Sequence, residues 1–312
     1  MRIQALGVAH GHPVVTRDLK SLMPSFIEIQ KEAGTPLDKL QRYIQAFESH
    51  TGRNAIIYYS GFLYTDKNTG IQDVDMSGFM NAAYNMDKSK GLDLFLHTPG
   101  GLVSATEGIG DYLKSLFRNN INCYIPHMAM SCGTLLAMAC QKIFMGKHSC
   151  LGPIDPAFGS YRAEAVVEEF ERAKEDIAGN PNLALLWQPI IGKYPMTFLG
   201  ECEKASQLAW IVCEKWLREG VLRNSSEMEG SINAIKRLFA DHQNSKVHDR
   251  HISSCEAKEA GLEISMIEDD DALQDSVMSV HHAAINYIRV CNYARVITNV
   301  RGQGWFVPAS KS

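Results

Sequence analysis

The chain is defined first by what is missing from it. No apolar run reaches the ~18 residues that a membrane-spanning helix needs. The first ten residues are broken by polar side chains too early for a secretory signal. The eight cysteines, at 123, 132, 140, 150, 202, 213, 255 and 291, form no Cys-x-x-Cys pair. Several fall in apolar runs, the pattern of reduced, buried thiols in a cytoplasmic protein. The histidines His248, His251, His281 and His282 lack the cysteine or carboxylate partners of a metal site, so no metal is expected. No Gly-x-Gly-x-x-Gly follows a strand, which removes a nicotinamide site, and no other cofactor is implied. A net charge of −4 gives no reason to expect nucleic acid as a partner. Peripheral membrane contact is left open. Repeats and low-complexity linkers are also missing.

What is present is an ordinary core-forming chain of 312 residues, 45% hydrophobic and 21% charged. Residues 1–52 read as a helical N-terminal arm. Thr35 and Pro36 make an N-cap and first-turn proline, and Leu37, Leu40, Ile44 and Phe47 share one helical face. Residues 53–268 read as the main domain. Strands are expected at Ala55–Ser60, Leu92–His97, Ile121–Ile125, Lys142–Met145 and Leu262–Ile267. Helices are expected at Asp75–Asp87, from Ser104 to Phe117, at Gly133–Cys140, Ala163–Ala178, Glu203–Glu219, Ser226–His242 and Ser254–Gly261. Alternating strands and helices argue an α/β core with a mainly parallel sheet. Residues 269–312 read as a C-terminal helix, continuing to 298, and a loose tail.

Two turns fall at the carboxyl ends of strands, where parallel α/β proteins build their sites. One is Thr98-Pro99-Gly100-Gly101. The other carries Ser131 between Ala129 and Gly133, after the strand Ile121–Ile125 and at the head of a small-residue helix. A serine there can be a nucleophile, its hydroxyl lifted clear of the sheet and the next backbone N–H groups facing any developing charge. It can equally be an N-cap that only satisfies a free N–H. Glycine backbone at 100 and 101 can approach a substrate closely, and Cys132 N–H is a second donor to an oxyanion. For a base, His127, His148 and His248 are open on sequence grounds. Lys204 is the favoured choice. It is expected in the first turn of the Glu203 helix, on a face with Leu208, Ile211 and Val212, where burial and the helix N-terminus would disfavour its charge.

The run from Leu96 to Gly101, then Pro126 to Thr134, then Leu151 to Pro156 resembles the serine dehydrogenase proteinase family. That family sits among the ClpP-like serine peptidases with signal peptide peptidase A. The resemblance extends from about Asn54 to Ile267 and is loosest between Gly159 and Gly200. It implies a ClpP/crotonase-like spiral of ββα units, a homo-oligomer and a polypeptide substrate. It also implies a serine endopeptidase with a Ser131–Lys204 dyad and an oxyanion hole from Gly100, Gly101 and Cys132. His248-Asp249 and the segment to Leu262 are similar to the family's closing segment. Two departures stand out: a cysteine at 132 where the family has alanine, and no membrane anchor like that of the signal-peptide relatives. Two other readings stay open, a catalytically silent ClpP-like scaffold and a crotonase-type binder of acyl thioesters. The latter needs a glutamate near the site, and Glu107 is the nearest in sequence.

Overall fold

The computed structural model describes residues 24–159, 161–241 and 250–309. His248 lies outside them. Seven strands form one sheet: β1 (Asn54–Ser60), β2 (Leu92–His97), β3 (Ile121–Ile125), β5 (Lys142–Met145), β10 (Ile264–Met266), β11 (Tyr293–Asn299) and β12 (Gly304–Pro308), in the order β10-β5-β3-β2-β1-β11-β12. The strands from β10 to β1 are parallel, and β11 and β12 add antiparallel strands beyond β1. The α/β class and mostly parallel sheet expected from the sequence are therefore present. All six residues of β2 are buried, as a strand covered on both faces requires.

Alternation along β2 divides the core in two. Leu92, Leu94 and Leu96 face one side, with α3 (Asp75–Ala83), α4 (Val103–Phe117), α5 (Cys132–Met138) and the fully buried Trp216 of α8 (Phe198–Glu219). Phe95 faces the other side, against α2 (Pro36–Thr51) and the long helix that ends the helical part of the chain. Helix α2 begins as the sequence indicated. Thr35 and Asp38 exchange side-chain and backbone hydrogen bonds in a capping box, Pro36 fills the first turn, and Gly52 ends it with φ 70°.

Further helices are α1 (Phe26–Lys31), α6 (Ala163–Gly179), α7 (Ala184–Ile191) and α9 (Met228–Phe239). A second, small sheet carries the functional turns: β4 (Met128–Ala129), β6 (Cys150–Leu151) and β9 (Ile252–Ser253), and β7 (Ala157–Phe158) pairs with β8 (Tyr161–Arg162). After β9 comes the short helix α10 (Ser254–Glu259), and after β10 the long helix α11 (Asp271–Cys291). Among the described residues no helix is long and apolar enough to cross a membrane.

Several extents differ from the sequence reading, and the tail expected to be loose carries β12, paired to β11. The helix expected over 271–298 stops at Cys291, where Asn292 takes a left-handed conformation with φ 54°, and Tyr293–Asn299 is a strand paired to β1. Its β-branched and aromatic residues suit a sheet, and pairing with β1 decides it over helical periodicity. Helix α8 starts at Phe198, five residues before Glu203, so Lys204 lies in its second turn and not at its N-terminus.

Candidate active site

Ser131 joins β4 to α5 with φ 50° and ψ −117°. L residues are rarely held in such a conformation, and a strained serine on a strand-to-helix turn is the arrangement of a nucleophile elbow. Its side chain makes no capping hydrogen bond. The N-cap alternative left open by the sequence therefore does not describe this serine. The turn is tight because its flanking residues are small. A Cβ on Gly133 would stand 2.4 Å from Thr98 Cγ2 and 3.4 Å from Ala129 Cβ.

Main-chain hydrogen bonds strap the two turns together. Thr98 N–H donates to Met128 O at 3.1 Å, and Met130 N–H donates to Thr98 O at 3.0 Å. Gly100 then passes directly under the serine. With φ +103°, a Cβ there would lie 2.6 Å from Ser131 Cβ and 3.0 Å from Cys132 N. The third sequence motif closes the site from the other side. Thr134 accepts a hydrogen bond from Gly152 N–H at 2.9 Å, and its hydroxyl lies 2.7 Å from Ala129 O. All three motifs thus meet around Ser131.

Cys132 is buried, and its Sγ donates to Gly101 O at 3.1 Å. Burial raises the thiol's pKa above its ordinary value, which keeps it protonated and unlike an activated nucleophile. The Gly100 N–H donates to Thr98 Oγ1 at 3.2 Å. Among the described residues, no acceptor is recorded for the N–H of Gly101 or of Cys132.

A cleft of about 390 Å³ opens over Ser131. Its walls are mostly apolar, with Leu102, Val103, Pro156, Phe158 and Leu208 among them, and Gly101 and Cys132 also face it. Ala205 and Leu208 bring helix α8 to this wall. Lys204, the preceding residue, is exposed to solvent, and the burial on which its choice from sequence rested is not there. Leu208 and Ile211, its expected face partners, are 40% and 63% exposed, while α8 buries Cys202, Ala209, Val212, Cys213 and Trp216. A 22-residue amphipathic helix has one buried stripe, and here it runs through the neighbours of Lys204.

The histidines lie elsewhere. His127 stacks on His97 at 5.3 Å and meets His281 at 6.0 Å, beside Tyr59 and Phe62. His97 and His281 are buried. Neither ring nitrogen of His97 has a hydrogen bond of ordinary geometry, the Met128 backbone lying nearby but out of alignment. Burial, then the charge of His127, pushes the His97 pKa down to about 3. Among the described residues no group of three or more potential ligands could hold a metal ion. Spacing along the chain does not reveal this cluster, because its members come from four distant segments. His148 is exposed, and Glu107 does not line the cleft.

Comparison with known proteins bears on this geometry. Residues 67–186, from the loop before α3 to α7, match the model of the ClpP-like SDH-type serine proteinases. This segment is similar to that family. It contains Gly100, Gly101, Ser131 and Cys132 and ends before Lys204. Two uncharacterized proteins of Methanocaldococcus jannaschii are similar to the chain. One is 40% identical over 111 residues, covering 36% of this chain and 38% of that protein. The other is 41% identical over 87 residues, covering 28% of this chain and 30% of that protein.

Proposed function

We propose that the chain is a serine peptidase that hydrolyses peptide bonds with Ser131 as nucleophile. The observation that carries this reading is the strained, uncapped Ser131 at the mouth of an apolar cleft. Ser131 Oγ attacks the scissile carbonyl, and the oxyanion is held by the N–H of Cys132 and of the Gly100–Gly101 turn. At that turn the Gly101 N–H is the uncommitted donor, and charge developing on the carbonyl oxygen supplies the acceptor it lacks. The apolar walls favour a substrate with an aliphatic or aromatic side chain beside the cleaved bond.

Lys204 is assigned the general base, taking the serine proton and returning it to the leaving amine. Lys204 directly precedes Ala205, which lines the cleft wall. A cytoplasmic homo-oligomer is part of the same reading, by analogy with the ClpP-like peptidases.

The exposure of Lys204 favours one rival, a ClpP-like scaffold without catalysis. A fluorophosphonate probe separates the two. The wild type is labelled covalently, Ser131→Ala is not, and Lys204→Ala loses peptide hydrolysis by about 100-fold or more. Both variants keep the wild-type melting temperature. Labelling that persists in folded Ser131→Ala, or a wild type that is never labelled, would sink the peptidase reading.

A further inference from the structure

Behind the Gly100 turn runs a chain of buried polar groups that ends on β11, outside the segment matched by the family. Gly100 N–H donates to Thr98 Oγ1 at 3.2 Å. Beside it, Tyr58 OH donates to Asp75 Oδ2 at 3.1 Å. Asp75 Oδ1 receives Arg295 Nε at 3.1 Å and Nη2 at 3.0 Å. The side chains of Arg295 and Asp75 are 1% and 0% exposed.

The same arginine grips the other side of the turn. Its Nη1 donates to Asn68 O, and its Nη2 lies 3.5 Å from Gln72 Oε1. Gln72 N–H donates to Asp75 Oδ2 at 3.0 Å. Between Asn68 and Gln72, Ile71 N–H donates to Gly100 O at 2.7 Å, and Ile71 O accepts from Leu102 N–H at 2.9 Å. The Gly100–Leu102 backbone is therefore tied, through Ile71 and the Asn68–Gln72 segment, to one guanidinium.

We infer that Arg295, with Asp75, Tyr58 and the Asn68–Gln72 segment that they hold, is a positioning residue for the Gly100–Gly101 turn and so for the oxyanion donor that turn presents. The inference rests on the peptidase reading for its effect on rate, and on the hydrogen bonds alone for its effect on the turn. Removing either partner of a buried ion pair leaves the other charge uncompensated, a large cost that would be kept only where geometry matters. Arginine suits the task because its planar fork reaches three acceptors at fixed angles, which the single ammonium of lysine cannot. Small misplacements of a catalytic group cost about 100-fold in rate.

The test uses the full chain with Tyr58→Phe, which removes one hydroxyl and spares the ion pair, and Arg295→Lys, which keeps the charge and loses the fork. Tyr58→Phe is expected to stay folded, to lower kcat for a peptide substrate by about 10- to 100-fold and to leave KM unchanged. Arg295→Lys, where it folds, falls at least as far. A purely structural role would lower the melting temperature without that split between kcat and KM. Hydrogen exchange of residues 97–104 rises in each folded variant, a readout that needs no catalysis. Folded Tyr58→Phe with unchanged kcat and unchanged exchange overturns the inference. A wild type without labelling at Ser131 fails the peptidase reading instead, and the exchange result still decides whether the relay holds the turn.

Discussion

At the scale of single residues, Gly100 and Ser131 define each other. The serine occupies its strained conformation because the strand before it and the helix after it are both fixed, and the glycine is the only residue that leaves room beneath it. Gly100→Ala would place a methyl group 2.6 Å from Ser131 Cβ, on a backbone with φ +103°. Alanine at such a φ is itself destabilising by about 1–2 kcal/mol. The expected outcome is a lowered melting temperature together with a loss of fluorophosphonate labelling of about 100-fold. A variant that labels at the wild-type rate would show that the close approach is not needed for reaction. Cys132 illustrates how far identity and role can separate. Cys132 lines the cleft, while its thiol is occupied with Gly101 O.

At the scale of elements, the legible parts were those whose structure is set locally. The N-cap and first-turn proline of α2, the parallel strands and the three turns could all be read because short-range patterns determine them. The course of the chain after Cys291 could not, since strand β11 owes its existence to pairing with β1. The face of α8 was misjudged for a related reason. Its residues offer two apolar stripes, and only packing of Trp216 against α4, with Nε1 donating to Asp111 Oδ1 at 2.9 Å, selects the buried one. Leu208 is thereby left at the cleft wall. Leu208→Trp should fill part of the cleft, raising KM for peptides with a bulky side chain at the cleaved bond by about 10-fold or more. Labelling by a small fluorophosphonate should be unaffected. Equal KM values for bulky and small substrates would remove α8 from the specificity wall.

At the scale of the whole molecule, the histidine cluster sets the response to acid. His97 binds a proton at about pH 6.5 in the unfolded chain and only near pH 3 in the folded one, chiefly because it is buried. Below pH 6.5 the unfolded state therefore takes up a proton that the native state refuses, and stability falls as the pH drops. Each such histidine contributes a slope of about 1.4 kcal/mol per pH unit, and buried His281 acts in the same direction. Buried carboxylates with raised pKa values, such as Asp75 and Asp93, act in the opposite direction, because the folded state takes up their protons above the pH near 4 at which unfolded carboxylates titrate. The expected melting temperature is flat above pH 7 and declines between about pH 6.5 and 5. His97→Leu, which removes two ring nitrogens without proper partners, should flatten that decline. An unchanged profile in this variant would assign the acid sensitivity to other groups.

The placement of Arg295 also fixes an order of events during synthesis. Gly100 and Ser131 emerge early, yet the guanidinium that anchors their surroundings follows after about half of the chain more. Contacts so distant in sequence form late, because a long loop must close before they reward it. On the peptidase reading proposed above, a nascent chain bearing the serine turn lacks this support until β11 pairs with β1.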